Sequence, residues 1–318
     1  MTIQQLNLRQ KIGQLFITTI EDSQINGETI NLLTQFHPGG VLLTQNNLIH
    51  PKQIYSLVSD LQSYSGKQLP LFVAVQAENA LKGMTNVPSQ QLLGDVNNRL
   101  YTKQAAAING KEWHALGVNM HLGPGLHPDS TDSFSEDIQQ IAYHGRATME
   151  GLHKNNILPV ATDFLNNNEH IPTEKPLYKS NVHPYLYAIE HGLEAVMTSN
   201  IDEAVPFLRE AVHFDGLIIY EPTNETINNN IINAIKNGSD MILPRSPYKT
   251  QLQLMESVYQ AVRNGEIPEE NIHRAVDRIL SFKQKVYREI PAFNRDDFLE
   301  PFSVRFMKQL EDKQPLSN

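Results

Sequence analysis

Short apolar runs recur along the whole chain and are separated by longer amphipathic segments. Runs of this length with no polar interruption are typical of strands that are buried on both faces of a parallel sheet. Turn residues or Pro stand at most of their ends, as Asp215 and Pro222 do around one of them. The sequence therefore predicts eight strands, within residues 14–20, 39–44, 71–76, 117–122, 157–164, 195–201, 216–221 and 240–244.

The segments between these runs show the spacing of amphipathic helices. In residues 98–116 the apolar positions recur at intervals of three and four. Pro51 begins residues 51–64, where it suits a first helical turn. Ser135, Glu136 and Asp137 begin residues 135–154 and place carboxylates where the helix dipole favours them.

Strands that alternate with helices over about 280 residues predict a TIM-type (β/α)8 barrel in a single domain. The main rival is an open doubly wound sheet, which usually carries a glycine-rich phosphate turn after its first strand. Residues 16–27 contain no such turn. We assign residues 1–290 to the barrel and expect residues 291–318 to form a helical tail that packs on it through Phe293, Phe298, Phe302 and Phe306.

Composition and charge exclude several classes of function. A net charge of −9 and a pI near 5.7 argue against a nucleic-acid partner, which would require clustered Lys and Arg. The absence of Cys excludes disulfides, thiolate metal sites and a Cys nucleophile. The first 15 residues lack the pattern of a secretory leader, and no apolar run is long enough to span a membrane. We expect a cytoplasmic protein, or a periplasmic one if a leader has been removed.

The carboxyl ends of barrel strands meet at one mouth, which is where barrel chemistry is built. Carboxylates, imidazoles and an Arg there could perform acid–base chemistry, or could simply be polar residues that tolerate water. His121 and His127 lack helical i, i+4 spacing, so neither a metal nor another cofactor is predicted. No G-x-S-x-G turn is present, and paired carboxylates are the groups that glycoside hydrolysis uses. The predicted mouth residues are Gln76, Glu78, His121, His127, Asp163, Tyr220, Glu221 and Arg245.

The order of several segments resembles the N-terminal barrel of glycoside hydrolase family 3, nearest to the bacterial β-N-acetylhexosaminidases that trim cell-wall amino sugars. These segments include LRQKIGQLF at 8–16, HPGGVLLTQNNL at 37–48, ALGVNMHLGPGLHP at 115–128 and ENIHRAVDRILSFK at 270–283. The resemblance covers about residues 5–285. It implies a carbohydrate ligand, either an amino-sugar glycan or a muropeptide, and no cofactor.

Most sugar-binding motifs of that family are replaced in this chain. The family sequence Asp-Gln-Glu-Gly-Gly-Arg corresponds to residues 76–81, where only Glu78 matches. The family Arg before Ser-Phe corresponds to Asp132, which reverses its charge, and the Asp after the Ala-Pro-Val turn corresponds to His127. The Lys-His-Phe-Pro-Gly-His-Gly sequence corresponds to residues 162–168, which have no Lys, His or Gly.

The catalytic positions are altered as well. The resemblance places Glu221 at the position of the Asp nucleophile, one methylene longer, and an error of ~1 Å in such a group can cost about a hundredfold in rate. The Asp-x-His acid/base pair of the hexosaminidase branch corresponds to Thr173 and Lys175. Asp163 and His170 are then the candidate acids, and Glu169 lies beside them in sequence.

Three hypotheses follow for function. The first is a catalytically impaired or inactive homologue that binds a glycan or a protein partner. The alternative is an active glycosidase of altered specificity with Glu221 as its nucleophile, and the third is a barrel with new chemistry. The predicted substrate contacts are Gln76, Glu78, His121, His127, Asp132, Tyr220 and Arg245.

Overall fold

The computed structural model describes residues 3–298, apart from residues 67, 77–80, 131, 166–168, 174–175 and 224–226 and the side chains of 227 and 228. All statements of structure below concern this part of the chain.

Parallel strands form a barrel in the order of the sequence, β1 to β8. The backbone N–H of Ile242 donates to the carbonyl of Leu15 over 2.7 Å, and Phe16 pairs with Ile242, so the last strand meets the first. Seven strands lie within the predicted runs and β4 extends three residues past its run, to Gly125, so the predicted (β/α)8 fold is confirmed. The strands are β1 Ile17–Thr19, β2 Gly40–Leu43, β3 Phe72–Val75, β4 Met120–Gly125, β5 Leu158–Thr162, β6 Ala195–Thr198, β7 Leu217–Tyr220 and β8 Met241–Ile242.

Helices surround the barrel. Shorter 3-10 turns occupy Ile3–Gln5, Gln45–Asn47, Leu177–Lys179 and Arg295–Asp297, and a π-helical turn spans Phe207–Ala211. None of the described helices is both long enough and apolar enough to cross a membrane. The α-helices are α1 Leu8–Gln14, α2 Gly27–Gln35, α3 Pro51–Ser65, α4 Gln90–Val96, α5 Arg99–Ala115, α6 Ile138–His153, α7 His183–Glu190, α8 Ala204–Pro206, α9 Ile227–Asn237, α10 Tyr248–Arg263 and α11 Glu269–Val286.

Helix starts follow the sequence signals, with one difference. Pro51 is the first residue of α3, as predicted. The helix α6 begins at Ile138, three residues after the predicted start, because Asp137 caps it. The Asp137 carboxylate accepts a hydrogen bond of 2.8 Å from the backbone N–H of Gln139 and so satisfies one of the unpaired donors of the first turn.

Each strand alternates between the barrel interior and the helix layer. Leu42, Ala74 and Ile219 belong to the interior cluster, which continues into the packing of α9, α10 and α11. Their neighbours Val41 and Val75 pack outward, in the cluster that contains the helix residues Leu57 and Trp113. This alternation fixes which strand residues can face the mouth and which cannot.

The described part of the tail packs on the barrel. Phe298 is buried, and the Phe293 ring lies 5.4 Å from that of Tyr55 and 5.8 Å from that of Phe298, measured between centroids. Phe302 and Phe306 lie outside the described residues. The helical tail therefore stays a prediction.

Gly94 allows α4 to approach the chain before α6. A Cβ on Gly94 would lie 1.5 Å from the carbonyl oxygen of Phe134, which is backbone and cannot rotate away. We expect Gly94→Ala to lower the free energy of unfolding by about 1–3 kcal/mol through overpacking, measured by urea denaturation. Gly27→Ala is the matched control, because no atom lies within 4 Å of a Cβ there. Equal stabilities for the two variants would contradict the prediction.

Candidate active site at the barrel mouth

An ion pair joins residues from three strands at the mouth. Arg245 follows β8 in a left-handed conformation with φ of 38°, and its Nε donates to Oε1 of Glu221, just after β7. Its Nη2 donates to Oε1 of Gln76, just after β3, over 2.6 Å. The Glu221 side chain is 25 % exposed. The carboxylate that was predicted as the nucleophile is therefore paired with a cation in this structure.

A second pair, between an imidazole and a carboxylate, lies at the end of β4. The His127 side chain is only 4 % exposed, and its Nε2 lies 2.6 Å from Oε1 of Glu169. Its Nδ1 accepts a hydrogen bond of 3.1 Å from the backbone N–H of Asp129. Because Nδ1 is the acceptor, Nε2 carries the ring proton and donates it to Glu169. The amide nitrogen of Asn181 also lies 3.2 Å from Nε2.

The loop after β5 carries Glu169 to His127. Asp163 and Leu165 both adopt left-handed conformations, with φ of 64° and 48°. The side chain of Asn200 donates to the Glu169 carbonyl over 3.1 Å and accepts from the backbone N–H of Glu203 over 3.0 Å. These bonds fix the loop to the end of β6.

The same loop places His170 away from the mouth. The His170 side chain is 77 % exposed, and its Nδ1 pairs with the Glu203 carboxylate. His170 does not line the cavity described below. Its predicted role as an acid is therefore not supported by its position, and Glu169, its neighbour in sequence, is the residue that faces inward.

A cavity of about 360 Å³ opens beside β4 and extends between that strand and α5. Asp163 lines this cavity, and Glu169 lies beside its wall residue His127. The carboxylates of Asp163 and Glu169 also affect the buried Tyr185. The Tyr185 hydroxyl donates to the carbonyl of Thr162 over 2.7 Å, and burial, followed by the charges of Asp163 and Glu169, raises the pKa of Tyr185. The predicted residues that line the cavity are Gln76, His121, His127, Asp132 and Asp163.

His121 faces the helix layer and not the interior of the mouth. Its neighbours Met120 and Leu122 belong to the interior cluster, so His121 points outward, and it lines the cavity together with Asn109 and Thr148. Both of its ring nitrogens are buried without a hydrogen-bond partner in the described chain. The Gly123 backbone approaches the ring without hydrogen-bond geometry. Burial lowers the pKa of His121 to about 4, so the ring is neutral at pH 7.

Tyr220 also lies outside the mouth. It is 2 % exposed, and its hydroxyl forms a hydrogen bond with Asn230 on α9. Burial raises the pKa of Tyr220. The prediction that Tyr220 contacts the substrate is therefore wrong. Glu78 lies outside the described residues.

No group of three His, Asp or Glu side chains in the described chain is placed to hold a metal ion. What the mouth offers chemically is an ion-paired carboxylate at Glu221, an imidazole–carboxylate pair at His127 and Glu169, and a free cavity beside them.

Comparison with protein families gives one match over most of the chain. The model described as "Glycosyl hydrolase family 3 N terminal domain" matches residues 7–282. Beta-hexosaminidase A of Pseudoalteromonas piscicida is 26 % identical over 157 residues, which are 43 % of this chain and 26 % of that protein. Beta-N-acetylglucosaminidase/beta-glucosidase of Cellulomonas fimi is 23 % identical over 339 residues, 89 % of this chain and 58 % of that protein. The chain thus spans less than two thirds of both curated relatives.

Solved structures show the same fold. A glycoside hydrolase family 3 beta-N-acetylglucosaminidase from Paenibacillus sp. str. FPU-7 aligns with a TM-score of 0.85 at 22 % identity, over 97 % of this chain and 69 % of that one. Beta-N-acetylhexosaminidase from Beutenbergia cavernae aligns with a TM-score of 0.76 at 20 % identity, over 88 % and 99 % of the two chains.

Proposed function

The chain belongs to glycosyl hydrolase family 3, and from this membership we propose that it is a catalytically impaired β-N-acetylhexosaminidase-like protein whose barrel mouth binds carbohydrate. The observation that carries the proposal is the ion pair of Glu221 with Arg245. A retaining glycosidase needs a free carboxylate that can attack the sugar, about 5 Å from its acid. A guanidinium that donates to that carboxylate stabilises its charge and competes for the lone pairs that would attack.

Carbohydrate binding is supported by the cavity beside that ion pair. Its volume of about 360 Å³ falls within the range of small-ligand sites. Carboxylates, amides and hydroxyls line it, among them Asp132, Asp163, Asn109 and Thr148. These groups are suited to hydrogen bonding with sugar hydroxyls.

The second candidate is an active glycosidase of altered specificity with Glu221 as nucleophile. The pair of His127 and Glu169 favours it, because a carboxyl group that shares a proton with an imidazole can exchange a proton with a leaving oxygen. Asp163, the acid suggested by the sequence, lines the cavity and is the other candidate donor.

Release of 4-nitrophenol from aryl glycosides distinguishes these two candidates. We expect the purified chain to release no more 4-nitrophenol from an aryl N-acetyl-β-glucosaminide, or from a broad panel of aryl glycosides, than Glu221→Gln does. If the wild-type chain is active and Glu221→Gln abolishes that activity, the second candidate holds and impairment is wrong.

Binding is tested separately by thermal denaturation. A ligand that binds only the folded chain raises its melting temperature by mass action. We expect at least one sugar, among monosaccharides and chitin, chitosan and muropeptide fragments, to produce such an increase. A flat response across that set would contradict carbohydrate binding.

A further inference from the structure

We propose that the cavity beside β4 selects an amino sugar with a free, positively charged amino group over its N-acetylated, neutral or anionic counterparts. This inference rests on the proposed carbohydrate binding and names the class of sugar. Two independent features of the cavity support it: the sign of its charged groups and an unpaired imidazole in its wall.

The charged groups of the cavity have one sign. Asp129, Asp132 and Asp163 line it, and no Lys or Arg does so among the residues that the structure describes. Glu169 adds a further carboxylate behind His127. A cleft that carries a single sign of charge between low-dielectric walls concentrates ligands of the opposite sign.

Arg245, a cation that the described chain places in the bonding network of the cavity, does not cancel this charge. Arg245 donates to Gln76, which lines the cavity, but its guanidinium is already paired with Glu221. An N-acetyl group would bring no charge to the carboxylates, and the carboxylate of a muropeptide would be repelled by them. An ammonium group provides both a compensating charge and hydrogen-bond donors.

The Asp163 carboxylate is held by a hydrogen bond from the side chain of its neighbour Thr162. Its Oδ2 accepts from the Thr162 hydroxyl over 3.0 Å and would lie 3.4 Å from a Cβ on Gly125, so it packs directly against a strand that has no side chain there. A positioned carboxylate discriminates between ligands better than a mobile surface one.

A hydroxyl group of a ligand would satisfy the unpaired imidazole of His121. His121 is neutral, and both of its ring nitrogens lack a partner in the described chain. A neutral imidazole offers one donor and one acceptor, and a sugar hydroxyl is both an acceptor and a donor. A simple polyamine would satisfy the carboxylates but not His121.

The test is calorimetric titration of the full chain with glucosamine, N-acetylglucosamine, glucose and putrescine. We expect glucosamine to bind about tenfold or more tightly than the other three. Asp132→Asn and Asp163→Asn, each checked for an unchanged circular-dichroism spectrum, should each weaken glucosamine binding by about tenfold. Asp60→Asn, on the exposed face of α3, is the matched control and should leave it unchanged.

The other outcomes contradict selection by charge, the amino-sugar site or carbohydrate binding itself. If N-acetylglucosamine or glucose binds as tightly as glucosamine, selection by charge is wrong while carbohydrate binding stands. If putrescine binds as tightly as glucosamine, the cavity is an acidic surface and not an amino-sugar site. If none of the sugars binds, and no glycan raises the melting temperature, both this inference and the proposed function fail.

Discussion

Asp240→Asn should lower the free energy of unfolding by about 3–5 kcal/mol, because it leaves two guanidinium groups without a compensating charge. The Asp240 side chain is 1 % exposed, and its two oxygens each lie 2.5 Å from a guanidinium nitrogen, one of Arg209 and one of Arg278. It also accepts from the backbone N–H of Ile218 over 2.8 Å. The carboxylate thus ties the start of β8 to β7, to the π-helical turn and to α11.

Urea denaturation of the variant measures this loss, with Asp277→Asn as the control. Asp277 is exposed and lies beside Arg278 on α11, so its neutralisation should change stability by no more than about 0.5 kcal/mol. A loss below about 1 kcal/mol for Asp240→Asn would show that solvent compensates the two arginines. The double variant with Arg278→Gln should then reveal how much of the loss belongs to that one pair.

The barrel could be predicted from the sequence because its strands are buried on both faces. Strands such as β7, Leu217–Tyr220, have no polar interruption, and Gly or Asp residues mark their starts. The same uniformity hides which way each side chain points. Tyr220 ends β7, as predicted, but its hydroxyl bonds to Asn230 on α9, and the uninterrupted apolar run of β7 gives no alternation from which this could be read. The prediction that His121 ends β4 is wrong, because His121 is the second residue of a strand that continues to Gly125, and it faces the helices.

The pairing within the site could not be predicted, because it depends on backbone conformations that the sequence does not signal. Asp163, Leu165 and Arg245 are left-handed without being Gly. Asp163 and Leu165 lie at the start of the loop that brings Glu169 to His127. Arg245 itself pairs with Glu221. The predicted strand ends indicated which residues lie near the mouth, and the structure shows which of them form pairs.

Such positive φ values in non-glycine residues usually persist only where the surrounding structure holds them. Of the seven such residues in the described chain, Asp163 and Arg245 flank the mouth, and these are also the positions that the further inference and the proposed function use. Asp163 follows β5 and Arg245 follows β8, so the left-handed conformation occurs after two different strands.

At the opposite end of the barrel, a buried Lys makes the stability of the fold depend on pH. Lys283 on α11 is 3 % exposed, its Nζ donates to Oε1 of Gln14 over 2.6 Å, and it lies 5.4 Å from the centroid of the Phe72 ring. Burial lowers the pKa of Lys283 from 10.5 to about 7. Between pH 7 and pH 10.5 the unfolded chain binds a proton that the folded chain releases, so this group makes the folded state more stable as pH rises.

Comparison with Lys283→Met isolates that effect. From pH 7 to pH 9.5 the free energy of unfolding of the wild-type chain should rise, relative to the variant, by up to about 1.4 kcal/mol per pH unit, and the difference should level off below pH 7. The lost hydrogen bond to Gln14 adds a constant offset and no slope. Lys285→Met is the control, since Lys285 lies two residues away, is 53 % exposed and should give no slope. A flat difference for Lys283→Met would mean that Gln14 and the Phe72 ring keep the buried ammonium charged.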